Sequence, residues 1–159
     1  MTLDDLNSFL ANPNVAAFLH AIRLGEGTSD DSGYSRIVGG QTFDDFSHHP
    51  DIKVWLPRWN VWSTAAGAYQ IINPTWVGLL AQYEFNDFSP GNQDLAAVAL
   101  VSERGAIDDL IGCDLDTAIR KCSQVWASLP YSEAGQRIEN YTLVLNEYTK
   151  YGGITTAQS

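Results

Sequence analysis

The sequence predicts an α+β fold, mainly helical with one small β element. Apolar residues recur at helical spacing behind Asn-Pro, Ser-Pro and Asp starts, and a single Gly-rich stretch reads instead as a hairpin. No repeat or low-complexity linker interrupts the 159 residues, so one domain spanning 1–159 is expected, with a tail that frays from about residue 152.

The first long helix is announced by Asn12 as N-cap and Pro13 at the first helical position. Val15, Phe18, Leu19 and Ile22 then fall on one face, and Gly25 and Gly27 bracket the end. From Gly33 to Phe43 the pattern changes. Ile37-Val38, the Gly39-Gly40 pair and Gln41-Thr42-Phe43 read as a small hairpin. An aromatic connector follows, in which Pro50 and Pro57 oppose a regular helix and Trp55, Trp59 and Trp62 either line a groove or pack the connector.

Three later helices start at Asn73-Pro74, Ser89-Pro90 and Asp114, with Arg104-Gly105 and Pro130 as stops. Trp76 and Trp126 sit at apolar helical positions and are assigned to the core. A last helix runs near Glu139 to Tyr151 and buries parts of Tyr141, Val144, Leu145 and Tyr148.

Composition excludes several functions. With 45% hydrophobic and 18% charged residues the chain is of the globular class, and no apolar run approaches the roughly 20 residues of a membrane helix. A net charge of −10 repels phosphates, so nucleic acid is an unsuitable partner. The same charge is awkward for any anionic substrate. The acidic start Met-Thr-Leu-Asp-Asp-Leu lacks the features of an export signal, which predicts synthesis in a reducing compartment. Cys113 and Cys122 are accordingly expected as thiols, with Cys122 in the core. That placement argues against a cysteine hydrolase built on Cys122 and His20, His48 or His49. His48-His49 has no third ligand at metal spacing, so neither a metal nor another cofactor is expected.

Glu26 is the residue with chemical consequence. It stands in Gly-Glu-Gly at a helix C-terminus, where the dipole and partial burial both favour the neutral acid, as a general acid near neutral pH requires. The local pattern alone equally fits an exposed carboxylate after a glycine cap.

Longer blocks decide between these readings. Gly25-Glu26-Gly27-Thr28, Gly33-Tyr34, Ile37-Val38-Gly39-Gly40, Phe43, Asp45, Ser47 and His49-Pro50 stand in one order. Ser63 to Gln70, Asp87-Phe88-Ser89-Pro90, Gln93-Asp94, Glu103 to Ala106, Trp126 to Pro130 and Gly135-Gln136 continue it. Together they resemble the lambda-type phage lysozymes. The resemblance implies a lysozyme-like fold with a small β lobe beside a substrate cleft. It further implies an endolysin that cuts the N-acetylmuramic acid to N-acetylglucosamine β-1,4 bond of peptidoglycan by lytic transglycosylation, leaving 1,6-anhydro ends.

On this reading Glu26 is the catalytic acid, Tyr69, Gln70 and Gln136 are first-choice cleft residues, and Tyr34, Thr64 and His49 stand behind them. Peptidoglycan strands are the partner, the protein is a monomer, and a separate holin-type pore protein releases it from the host cytoplasm to the periplasmic wall. A hydrolytic muramidase would need a second carboxylate about 5 to 9.5 Å away, with Asp44 or Asp45 as candidates. The other common phage lysozyme pattern has Asp and Thr where this chain has Ser35 and Gln41. A peptidoglycan-binding module without catalysis is the reading from another class. The chain also departs from its relatives at Ala68, Ala134 and Ser35, which puts subsite contacts in question while leaving the single-Glu mechanism intact.

Overall fold

The computed structural model describes residues 1–132 and 139–156. Its helices are α1 (Leu3–Leu10), α2 (Pro13–Glu26), α3 (Asn73–Tyr83), α4 (Pro90–Glu103), α5 (Ile107–Ile111), α6 (Leu115–Cys122) and α7 (Tyr141–Lys150). The strands β1 (Val54–Leu56) and β2 (Val61–Ser63) form an antiparallel pair in which Trp55 lies opposite Trp62. The expected α+β class is thus observed. No helix among the described residues is long and apolar enough to cross a membrane.

Local chemistry explains most starts and stops. Asn12 Oδ1 accepts from the backbone N–H groups of Asn14 and Val15, with Pro13 behind it, and Gly27 closes α2 in the left-handed region at φ 74°. Asp114 accepts from Thr117 N–H at the start of α6. The start of α3 is satisfied from a distance, since Thr64 Oγ1 accepts the Asn73 N–H at 2.8 Å.

Three elements differ from the sequence expectation. The helices expected from the sequence begin at Asn12, yet ahead of them Thr2 and Asp5 form a reciprocal capping box that starts α1, and Leu6 buries the helix against the core. The Gly33–Phe43 stretch makes a 3-10 turn at Gly33–Ser35 and an isolated bridge between Arg36 and Thr42, while the paired strands lie further on, in the aromatic connector. Consecutive glycines at φ 93° and 101° turn the chain too sharply to extend the first pairing. The tail, expected to fray from residue 152, is held through Thr156. Ile154 N–H donates to Asn14 Oδ1 at 2.9 Å, and Thr156 N–H donates to the Cys113 carbonyl at 3.1 Å. Asn14 also donates to the Leu110 carbonyl, so one buried amide joins α2, α5 and the tail.

The core is organised around α4. Leu95 to Val101 are buried without interruption, so this helix is enclosed on all sides, and its alanines let neighbours approach closely. Helix α1 packs on α4, and α2 packs on α7, α5 and α4. Trp76 and Trp126, 2% and 3% exposed, are core residues as expected.

At the polar end of α4, Gln93 is almost wholly buried and fully bonded. Its Oε1 accepts from Ala68 N–H, and its Nε2 donates to the Tyr34 and Phe88 carbonyls at 3.0 and 2.9 Å. Replacing it with Leu strands one donor and two acceptors. Gln93→Leu is expected to lower unfolding free energy by on the order of 3 kcal/mol or more, read from the urea midpoint.

Candidate active site

Glu26 is the last residue of α2, and its carboxyl is partly buried. Ser128, 4% exposed, donates its hydroxyl to Glu26 Oε1 at 3.2 Å. Burial pushes the Glu26 pKa up to about 7, and the Ser128 hydrogen bond opposes that rise. Partial burial, one of the two effects expected from the sequence, is therefore the main cause of the rise. The carboxyl lines a hollow of about 490 Å³ with Gly27, Arg36, Ile37, Val38, Gly39, Gly40 and Gln70. The left-handed glycines keep this wall low, since neither Gly27 nor Gly40 has a neighbour within 4 Å of where a Cβ would stand.

At Val38 the hollow meets a larger groove of about 990 Å³, bordered by Asp51, Lys53, Leu56, Trp59, Val61, Trp62, Thr64 and Ile72 among others. Trp59 and Trp62 are 42% and 63% exposed, and Trp55 meets Trp62 edge-on at 5.3 Å. Such rings in an open groove suit apolar faces of a polar ligand. Two of the three connector tryptophans thus line the groove and the third buttresses one of them.

The other expected site residues fall into two groups. Gln70 shares the hollow with Glu26, and its amide nitrogen donates to the Gly67 and Arg36 carbonyls. Thr64 borders the larger groove while serving as the α3 cap. Tyr69, Tyr34 and His49 have their polar atoms engaged inside the protein. Tyr69 is 2% exposed, and its hydroxyl donates to Asp94 Oδ1 at 2.6 Å; Tyr34 donates to the same oxygen at 2.9 Å. His49 accepts the Asp51 N–H on Nδ1, which fixes its proton on Nε2 facing the Ile71 carbonyl at 2.8 Å. Burial lowers its pKa, so this His49 is neutral. These three residues shape the site from behind. Gln136 lies outside the described residues, as does Ala134.

The backing has one further member. Arg23, 8% exposed, donates through Nε and a terminal nitrogen to the Thr28 carbonyl, and its guanidinium lies 4.5 Å from the Tyr34 ring centre. Thr28, fully buried, donates its hydroxyl to the Ala68 carbonyl. The turn after Glu26 is thereby fixed to the segment that carries Tyr69 and Gln70. Sequence reasoning assigned no role to Arg23 or Ser128. Their signal is long-range, because Ser128 reaches Glu26 across 102 positions.

Asp44 and Asp45 border neither hollow, and Asp45 instead accepts the Ser47 N–H. Of the described residues lining the two spaces, Glu26 and Asp51 are the carboxylates. Asp30 is paired in two-pronged fashion with Arg36 at 3.0 and 3.1 Å. Among the described residues no cluster of His, Cys, Asp and Glu is disposed to hold a metal. Cys122 is buried, with its pKa pushed up to about 12, which removes the thiolate a cysteine nucleophile requires.

A family model described as Endolysin matches residues 16–155. The endolysin of Escherichia phage lambda is 37% identical over 144 residues, 86% of this chain and 90% of that protein. The endolysin of Escherichia phage P2 is 36% identical over 156 residues, 89% of this chain and 94% of that protein. A bacteriophage lambda lysozyme structure complexed with a chitohexasaccharide superposes with a TM-score of 0.85 at 35% identity, covering 91% of this chain and 97% of that one. A second lambda lysozyme structure gives 0.81 at 34% identity, with the same two coverages.

Two measurements probe the environment of Glu26. Ser128→Ala removes the bond that stabilises the carboxylate, so the Glu26 pKa, followed by carboxyl NMR, is expected to rise above about 7. Because the folded pKa exceeds the ordinary value of 4.5, the unfavourable charging of Glu26 is absent below about pH 4.5 and complete above about pH 7. Glu26→Gln is therefore expected to match the parent in stability near pH 4. It should gain on the order of 3 kcal/mol above pH 7, measured by urea unfolding at both pH values.

Proposed function

The chain belongs to the Endolysin family, and on that premise we propose that it cleaves the N-acetylmuramic acid to N-acetylglucosamine β-1,4 bond of peptidoglycan by lytic transglycosylation, with Glu26 as the sole acid and base. The observation carrying this reading is the partly buried Glu26 carboxyl, protonated up to about pH 7 and the one carboxylate among the described residues lining its hollow, which opens onto an aromatic groove. The lambda lysozyme structure complexed with a chitohexasaccharide supports a glycan as occupant of that groove.

The chemistry follows from one proton moving twice. Glu26 donates it to the glycosidic oxygen as the bond from C1 of muramic acid to that oxygen breaks, and the N-acetylglucosamine leaves with a free hydroxyl. The carboxylate then takes the proton of the muramoyl C6 hydroxyl as O6 bonds to C1, closing the 1,6-anhydro ring and restoring the acid. No water is consumed. The fixed turn after Glu26 holds the carboxyl in place for both transfers, through the Arg23 and Thr28 bonds.

Hydrolysis needs a second carboxylate to activate water or trap the sugar. Asp44 and Asp45 border neither hollow, which weighs against that alternative. Wall access through a separate holin-type pore protein, action on the periplasmic wall and a monomeric state belong to the same proposal.

Mass spectrometry of digested peptidoglycan tests the outcome. Predominantly 1,6-anhydromuropeptides are expected, and reducing-end muropeptides would replace this mechanism by hydrolysis. Glu26→Gln is expected to lose about 10²-fold or more in wall clearance, and unchanged clearance would remove Glu26 as the acid. The parent's activity should fall as pH rises through about 7, where the donor loses its proton.

A further inference from the structure

The molecule is strongly acidic, yet cations stand beside the carboxylates of its hollow and groove, Arg36 beside Glu26 and Lys53 beside Asp51. Nineteen acidic residues outnumber nine basic ones, yet three of those nine cations stand along the glycan path. Arg36 lines the Glu26 hollow, Lys53 borders the larger groove, and the Arg58 guanidinium lies 5.0 Å from the ring centre of Trp59, a groove wall. Arg36 is held by Asp30. Elsewhere Arg120 and Lys121 are likewise held by Asp116 and Asp109. Among the described residues no carboxylate forms an ion pair with Lys53. Asp51, two residues away on the same groove, does not approach it within salt-bridge distance.

Position adds to charge. Lys53 immediately precedes β1, and the antiparallel pairing of β1 with β2 puts Trp62 of the groove on the strand beside it. An ammonium on a flexible stem thus stands at the lip of an aromatic trough, able to meet a group that projects sideways from a sugar seated there. A chain of N-acetylglucosamine offers hydroxyls and acetamides at that place, all uncharged. Muramic acid differs by a 3-O-lactyl arm that ends in a carboxylate or continues into a peptide bearing carboxylates.

We propose that Lys53 is a specificity-determining residue that reads a carboxylate carried on the lactyl arm of muramic acid, separating wall glycan from uncharged chitin-like strands. The inference rests on the glycan-cleaving function proposed above. It also reconciles an acidic protein with an anionic substrate, because attraction is needed only where the arm projects and not over the whole surface.

Tryptophan fluorescence of the full chain carrying Glu26→Gln, which leaves strands uncut, supplies the test. Three ligands are compared: peptide-bearing glycan strands, strands stripped of peptide so that the lactyl carboxylate is free, and the N-acetylglucosamine hexamer. Adding Lys53→Gln is expected to raise Kd on the order of fivefold for a carboxylate-bearing strand and less than about twofold for the hexamer, with Lys53→Arg restoring most of the loss. A loss confined to the peptide-bearing strands identifies the peptide as the source of the carboxylate, and one confined to stripped strands identifies the lactyl group. Equal losses on all three ligands, or none on any, overturn the assignment. If the Glu26→Gln protein with Lys53 intact binds none of the three, the glycan reading itself fails, an outcome distinct from a failure of Lys53 alone.

Discussion

The side-chain amide of Gln93 joins the helical core to the polar site. It leaves α4 fully buried and satisfies Ala68 N–H, the Tyr34 carbonyl and the Phe88 carbonyl. Each belongs to a different loop or turn between α2 and α4. Loops of that kind carry backbone groups that water would ordinarily satisfy, and here one side chain takes water's place. Gly67 allows the approach: at φ 83°, a Cβ there would lie 2.3 Å from Gln93 Oε1. From this junction the bonds run onward. Asp94 receives Tyr34 and Tyr69, Thr28 reaches the Ala68 carbonyl, and Arg23 spans from α2 to the Thr28 carbonyl.

This backing explains how a carboxyl can sit at a helix end, partly shielded from water, without drifting toward solvent. The polar residues behind the cleft bond to one another and to backbone, and among the described residues Ser128 is the side-chain partner of Glu26. An uncharged donor such as the Ser128 hydroxyl permits the acid to persist to neutral pH, where a lysine or arginine in its place would have kept it ionised. Arg36, the cation lining the same hollow, is engaged by Asp30 and by the Gly27 carbonyl.

Local signals in the sequence located α2, α4 and α6 and placed Glu26 at the end of its helix, because caps and apolar periodicity act over a few residues. The β pair was missed for a physical reason. Its strands are three residues each and rich in exposed tryptophan, so the alternation that marks a half-buried strand is absent. The distinction between cleft and backing was not legible either. Tyr69 and Gln70 are neighbours, yet the left-handed backbone at Gln70, φ 51°, turns one toward the hollow while the other is buried behind it. Only tertiary contacts reveal that Tyr34, Tyr69 and His49 spend their polar atoms on the protein itself.

The strap formed by residues 152–156 has a bearing on how this molecule can be rebuilt. Its bonds to Asn14 and to the Cys113 carbonyl bring the chain back across the start of α2, the same rigid rod whose far end presents Glu26. Gly153 is irreplaceable there without movement, as a Cβ would lie within 2.5 Å of the Tyr148 ring. A cargo or wall-targeting module grafted onto this end therefore belongs beyond Thr156, so that these bonds are kept. Joined earlier, it would pull on the anchored end of the helix that carries the acid.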